Sequence, residues 1–224
     1  MPSKFNKDYF ENGIATNSSC YENYRWIPEL TYPMAFSVAH YLKLRPTSRV
    51  LEYGCAHGFL VKALNDFQIL TYGIDISDYA IENCPPSIRE KVSVIHNSNI
   101  EMTLSRMGAN TPFDVVIAKD VFEHICSEDL DSILCELSRI AKRLFIVVPL
   151  GDMGKFRIKA YHLDPTHIIA ENEEWWKEKI ETNGFKIEEC VYQISGIKDK
   201  WQDAHKKGNG FFLAKSLYDE KNGK

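Results

Sequence analysis

Apolar residues along the chain follow two rhythms, and the switches between them outline its elements. Short apolar-rich runs close at punctuating residues. Arg49–Tyr53 stops at Gly54, Leu70–Ile74 at Asp75, and Leu144–Val148 at Pro149, with Val92–His96 and Phe113–Ala118 between them. Short continuous runs of this kind predict strands covered on both faces. Between them the spacing turns helical. Phe59, Leu60, Ala63 and Leu64 share one face, Ile81 lies in a helix that Ser77 can cap, and Leu130, Ile133, Leu134, Leu137 and Ala141 follow a cap at Ser127. Upstream, Pro33 opens a helix carrying Met34, Val38, Tyr41 and Leu42, which Pro46 stops. After a loop over 150–170 come a helix at Glu171–Asn183, with Gly184 just past its end, and strands at Phe185–Ile194 and Phe211–Leu217. Five βα units in succession predict an α/β fold, a doubly wound and mostly parallel sheet with an antiparallel C-terminal strand. Ligands of such sheets bind beyond the carboxyl ends of the strands, here at 52–58, 75–77, 96–100 and 118–124.

Composition narrows the partners. The 224 residues carry a net charge of −4, which argues against a nucleic-acid partner, since phosphate binding needs a concentrated basic face. The one basic cluster, Lys198–Lys207, also holds Asp199 and Asp203 and reads as a solvated loop. The six cysteines form no CxxC pair, so reduced thiols and a cytoplasmic location are expected. No run is apolar enough for a membrane span, and the N-terminus lacks a signal core. Residues 1–30 are rich in aromatics, among them Tyr9, Phe10, Tyr21, Tyr24 and Trp26, and read as an ordered arm. The expected organisation is an N-terminal helical and aromatic lid over 1–45 and one globular domain over 46–224. The oligomeric state is not legible.

The first βα turn carries the chemistry. It reads Glu52-Tyr53-Gly54-Cys55-Ala56-His57-Gly58. Gly54 and Gly58 permit a tight turn close to a ligand. A dinucleotide fingerprint from Gly54 fails at Ala56 and Phe59, which speaks against a nicotinamide-dependent oxidoreductase. Glu52, just before the turn, would repel a pyrophosphate and suits a cationic ligand. Asp75 ends the second strand about 20 residues further on, the place from which an acidic side chain holds ribose hydroxyls in nucleoside-binding α/β folds. A positively charged nucleoside, S-adenosylmethionine, satisfies both carboxylates.

These residues resemble motif I of the class I S-adenosylmethionine-dependent methyltransferases, in a variant with Ala at the middle glycine. Tyr72-Gly73-Ile74-Asp75-Ile76-Ser77 is similar to the family's second-strand motif, and Phe113–Ile125 to its fourth-strand segment, ending in a Leu-Glu-His-like turn. Gly184-Phe185 matches the Gly-Phe before a late strand. The resemblance spans about 46–217 and implies a Rossmann-like fold that binds S-adenosylmethionine and releases S-adenosylhomocysteine. It implies that Gly54, Ala56 and Gly58 line the methionine moiety, with Cys55 among the cofactor residues of that turn, while Glu52 organises the turn and the amino end. Asp75 would hold the ribose and Ile76 would pack on the adenine. Asn99, where many members have Asp, would accept from the adenine amino group, with Ile100 and Lys119 completing the cofactor residues.

The acceptor is less legible. His124 follows Glu123 at the mouth of the fourth strand, and His167 closes an Asp164-Pro165-Thr166-His167 turn that resembles one facing the acceptor in related enzymes. Both histidines are candidate bases, because imidazole titrates near neutrality; a structural role for His124 is equally open. The stretch Tyr161–His167 holds two histidines and an Asp, but its spacing matches no metal motif and no metal ligand is assigned. His57 is expected to cap or pack in its turn, and Trp175-Trp176 to serve packing. The chain lacks an Asn/Asp-Pro-Pro-aromatic motif of amine and amide methylation; Cys84-Pro85-Pro86-Ser87 lacks the aromatic. The expectation is therefore O-methylation of a small-molecule or saccharide acceptor. An RNA or protein methyltransferase and a non-catalytic cofactor-binding partner subunit stand as alternatives.

Overall fold

The computed structural model describes residues 4–95, 99–109 and 111–218. The chain divides into two compact units, Met1–Ala109 with His162–Thr166 and Asn110–Tyr161 with His167–Lys224.

The first unit opens with short helices α1 (Lys7–Glu11) and α2 (Gly13–Thr16), then α3 (Pro28–Tyr41). Pro28 sits in the first turn of α3, and Pro33, expected to start this helix, lies inside it. The position is tolerated because Pro33 is exposed, so water can reach the Glu29 carbonyl that loses its helical donor. Strands β1 (Arg49–Tyr53), β2 (Leu70–Asp75) and β3 (Val92–Val94) are parallel, with Arg49 opposite Leu70 and Gly73 opposite Val92. They alternate with α4 (Phe59–Asp66) and α5 (Asp78–Glu82), whose buried residues include Leu60, Val61, Ala63, Leu64, Ala80 and Ile81. Ser77 caps α5 as the sequence predicts, accepting from the Ala80 amide at 3.0 Å. Helix α6 (Ile100–Arg106) follows. The expected third strand ran to His96, which lies outside the described residues with Asn97 and Ser98.

The second unit holds β4 (Val115–Lys119), α7 (Ser127–Ile140) and β5 (Arg143–Pro149). The expected loop over 150–170 contains the two-residue strands β6 (Gly151–Asp152) and β7 (Lys155–Phe156). Helix α8 (Glu173–Thr182) and strands β8 (Phe185–Val191) and β9 (Asn209–Ser216) complete the unit. The cap of α7 is Cys126, one residue before the expected Ser127, with no side-chain cap bond. Glu128 and Asp129 supply negative charge to its first turn instead, and Ser127 Oγ accepts from Lys179 Nζ at 2.8 Å. Trp176 is fully buried on α8, the packing role expected of it, while Trp175 is half-buried.

The main sheet has seven strands in the order β3-β2-β1-β4-β5-β9-β8. Strand β9 runs antiparallel to both β5 and β8. The fold is thus the expected Rossmann-like α/β sheet with an antiparallel C-terminal element. Strands β4 and β5 are almost wholly buried, as unbroken apolar runs require.

Candidate functional site

The turn after β1 is built by left-handed residues. Gly54, Ala56 and Gly58 have φ of 75°, 48° and 72°. The Gly54 and Cys55 amides both donate to the Ile74 carbonyl, at 2.8 and 3.1 Å, which folds the turn back onto β2. Ala56 is the unusual member, since a left-handed residue with a Cβ costs about 1–2 kcal/mol. Its amide donates to Asp75 Oδ2 at 2.8 Å, and a hydrogen bond to a carboxylate can offset that cost. Gly58 is required twice over: a Cβ there would meet Ile88 Cδ1 at 2.6 Å in addition to the positive φ. Gly73 admits Cys55, whose Sγ lies 2.8 Å from the Cβ that any other residue would carry.

Asp75 is the hub of this turn. Oδ1 accepts from Ser77 N and Oδ2 from Ala56 N, both at 2.8 Å. Burial pushes its pKa up against the pull of these amides. Each oxygen keeps a second lone pair, so the carboxylate can still accept from a diol. Ile76, next along, is 50% exposed, an apolar surface suited to a flat base. Glu52 is buried.

The other expected cofactor residues have partners within the chain or are buried. The Cys55 side chain is buried with Val61, Ile81, Cys84, Ile88 and Val92, and burial raises its thiol pKa well above the usual value. Asn99 caps α6, its Oδ1 accepting from Met102 N at 2.8 Å. Ile100 has no exposed surface. Lys119 Nζ is paired with Asp120 at 2.6 Å.

The N-terminal arm packs on the first turn. Tyr9 and Phe10 are buried with Ala80, and Phe5, Tyr24, Ala56 and Tyr79 pack against them. Ser77 Oγ donates to the Phe5 carbonyl at 2.5 Å, and Tyr79 Oη to Glu11. His57 stands among the rings of Phe10 at 4.9 Å, Tyr24 at 5.0 Å and Phe59 at 5.5 Å. Its buried Nε2 has no hydrogen-bond partner among the described residues. Burial pushes its pKa down to about 4, against the opposing charge of Glu11. Tyr9 Oη donates to Asp164 Oδ2 at 3.0 Å, while Asp164 Oδ1 accepts from the Thr166 amide at 2.9 Å.

In the second unit, residues after β4 form a charged cluster. Asp120, at φ 55°, pairs with Lys119 and Lys198. The two ammonium groups hold its carboxyl far below the usual range despite burial. Lys198 corrects the reading of 198–207 as a solvated loop: its side chain is 8% exposed and lies over the Tyr161 ring at 4.8 Å. A 3-10 turn, Phe122–His124, follows. Glu123 is 1% exposed, and burial with the neighbouring Asp120 charge pushes its pKa up to about 8. Its carbonyl accepts from the Ile168 and Ile169 amides at 2.8 and 3.1 Å. Those bonds bring His167 beside His124, with ring centroids 4.6 Å apart. His167 Nδ1 lies 2.7 Å from the Tyr161 carbonyl. As donor there, it leaves the lone pair on Nε2.

The structure brings His124 and His167 together and fixes Asp75 between two amides; it also engages Asp120, Glu123 and Lys198, to which the sequence reading gave no role. Glu123 could have been noticed as a carboxylate between Phe122 and His124, a few residues past the apolar run of β4; such a carboxylate, once buried, demands a partner.

Residues 37–204, more than half of the chain, match the family described as methionine biosynthesis protein MetW. No curated protein matches the chain. Among solved structures, a chain from the complex of the Haloferax volcanii Trm112 methyltransferase activator with a methyltransferase is similar, at TM-score 0.66 and 13% identity, covering 84% of this chain and 91% of that one. Magnesium protoporphyrin IX methyltransferase from Synechocystis, with bound S-adenosylhomocysteine, gives TM-score 0.59 and 20% identity over 83% of both chains. An S-adenosylmethionine-dependent methyltransferase from Archaeoglobus fulgidus gives 0.57 and 17%, covering 81% of this chain and 92% of that one. With the glycine turn, the carboxylate at the end of β2 and the sheet order agreeing, the chain belongs to the MetW family and has the class I S-adenosylmethionine-dependent methyltransferase fold.

Proposed function

We propose that this cytoplasmic S-adenosylmethionine-dependent methyltransferase moves the sulfonium methyl group to an oxygen of a small-molecule or saccharide acceptor. The observation that carries the cofactor half is Asp75, fixed by the Ala56 and Ser77 amides with lone pairs left for a ribose diol. Glu52, Gly54, Ala56 and Gly58 would take the methionine end and Ile76 the adenine. Cys55, Asn99, Ile100 and Lys119 would contribute through backbone or after rearrangement. Residues 1–45 would serve as the lid of a catalytic domain over 46–224. The packing of Phe5, Phe10 and Tyr24 on Ala56, Ser77 and Tyr79 supports that reading.

In the reaction the acceptor oxygen attacks the methyl carbon in line with the C–S bond. The O–CH3 bond forms as the C–S bond breaks, its electron pair stays on sulfur, and S-adenosylhomocysteine leaves. Alignment supplies much of the rate. The acceptor proton has to depart as well, and His124 and His167 are assigned its activation because they form a close imidazole pair. Among the described residues no helix is long and apolar enough to cross a membrane, which is compatible with a water-soluble acceptor.

Calorimetric titration with S-adenosylhomocysteine, alongside NAD, tests the cofactor. Micromolar binding of the first and none of the second is expected; the reverse would overturn the reading. Methyl transfer from labelled cofactor to sugars, nucleotide-sugars and small hydroxylated acids then tests the acceptor. The family's association with methionine biosynthesis puts small amino-acid-like compounds in the same panel. Label found on nitrogen or carbon, or only on RNA or protein, would refute the oxygen assignment.

A further inference from the structure

The geometry of Glu123, His124 and His167 points to a site for one divalent transition-metal ion, which we propose activates the acceptor oxygen. One ligand atom from each of these residues lies within 4.8 Å of the other two. Donors that share an ion at ~2.1 Å stand about 3–4 Å apart, so small side-chain adjustments close the set. The cluster is assembled rather than incidental. Two residues come from the turn after β4 and the third from 43 positions further on, clamped by the two amides that donate to the Glu123 carbonyl.

Two independent observations point to a ligand. Glu123 is 1% exposed, and its Oε2 has no hydrogen-bond partner among the described residues. A buried carboxylate oxygen in that state calls for an ion or a proton donor. His167 Nδ1 meets the Tyr161 carbonyl at 2.7 Å, the outer bond by which metal-binding histidines are commonly oriented with Nε2 toward the ion. Lys119 and Lys198 stand close by, but both are committed to Asp120. The loop residues His162 and Asp164, the other metal candidates of the sequence, fall in the first unit, and Asp164 is engaged by Tyr9 and Thr166.

Two imidazoles and one carboxylate favour Mn2+, Fe2+, Co2+ or Zn2+ over Mg2+ or Ca2+, which prefer all-oxygen shells. Three protein ligands leave coordination positions open for the oxygens of an acceptor. An oxygen bound there loses its proton more readily, which makes His124 and His167 ligands and leaves the proton to solvent. Acceptors with two adjacent oxygens, such as a vicinal diol or a hydroxy acid, would bind best. This role rests on the oxygen-acceptor reading above; the ion site itself does not.

Co2+ is the probe. The full chain, stripped with a chelator and dialysed, is titrated with Co2+ while its visible absorption and tryptophan fluorescence are followed. S-adenosylhomocysteine is titrated in parallel. One equivalent per chain is expected, with Zn2+ competing. Glu123→Gln and His167→Ala should each weaken Co2+ binding by ~10-fold or more, while S-adenosylhomocysteine affinity is unchanged. A folded wild type that takes up no Co2+ or Zn2+, or uptake unchanged in both variants, would overturn the site. Should a variant fail to fold, X-ray absorption of the Co2+-loaded wild type decides: nitrogen and oxygen ligation supports the site, and sulfur ligation from exposed Cys20 or Cys126 overturns it. Co2+ binding with no S-adenosylhomocysteine binding would fail the methyltransferase reading and leave the ion site standing. The reverse outcome would do the opposite.

Discussion

His57 makes the fold acid-sensitive at the turn that the arm covers. Its pKa is pushed from 6.5 down to about 4 because the ring is buried among aromatic residues. Between those values the unfolded chain carries a proton that the folded chain refuses. The unfolded state therefore binds more protons, and stability rises with pH across this window. The contribution is complete above pH 6.5 and is lost as pH falls through about 4. Each pH unit of such a gap is worth about 1.4 kcal/mol, which over the gap from 6.5 to about 4 sets a ceiling of about 3.5 kcal/mol. Partial hydration of the ring screens this shift, so the realised loss should be ~1–2 kcal/mol. The assay is urea unfolding at several pH values between 4 and 6.5, for wild type and His57→Phe. Phenylalanine keeps the contacts with Phe10, Tyr24 and Phe59 and removes both the titration and the unpartnered Nε2. The wild type should lose stability as the pH falls, and the difference between the two proteins should widen toward pH 4. Parallel curves would refute the argument, as would an NMR titration placing the His57 pKa at or above 6.5.

Other outcomes follow from the same turn and from the arm. Asp75→Ala removes acceptors from the Ala56 and Ser77 amides; it should lower S-adenosylhomocysteine affinity by about 1–3 kcal/mol in calorimetry, and unchanged affinity would remove Asp75 from the site. Ala56→Gly relieves a left-handed residue at some entropic cost and should be neutral to ~1 kcal/mol stabilising by urea midpoint. Gly58→Ala meets both a positive φ and Ile88 and should cost more than 1–2 kcal/mol, roughly the left-handed penalty alone. Tyr9→Phe deletes the bond to Asp164 and should cost about 1.5–3 kcal/mol, read by denaturation; no change would mean the arm is held by its aromatic contacts alone.

The sheet was legible because its strands are short apolar-rich runs closed by Gly54, Asp75 and Pro149, and burial on both faces leaves little else for such runs to do. The motif residues were legible because a tight βα turn admits few solutions at Gly54 and Gly58. Short elements escaped. Helix α6 is seven residues long with only Ile100, Thr103 and Leu104 buried, too few for a helical rhythm to show. The first residue of α7 was misplaced because Ser127 is a good cap by type, yet its hydroxyl serves Lys179. Lys198 looked solvated for a similar reason: a lysine among charged neighbours gives no sign in one dimension of a carboxylate that is distant in sequence.

The candidate site was half legible for one physical reason. The residues proposed to hold the cofactor in the first turn lie within a few positions of each other, so local spacing records their geometry. The cluster around Glu123 is recorded only by tertiary contacts, the two amide bonds to its carbonyl that deliver His167. Within one loop the sequence placed Asp164 and His167 together as one feature, but the chain uses them apart, Asp164 for Tyr9 of the arm and His167 for the imidazole pair. Two residues, Pro165 and Thr166, separate these tasks along the chain.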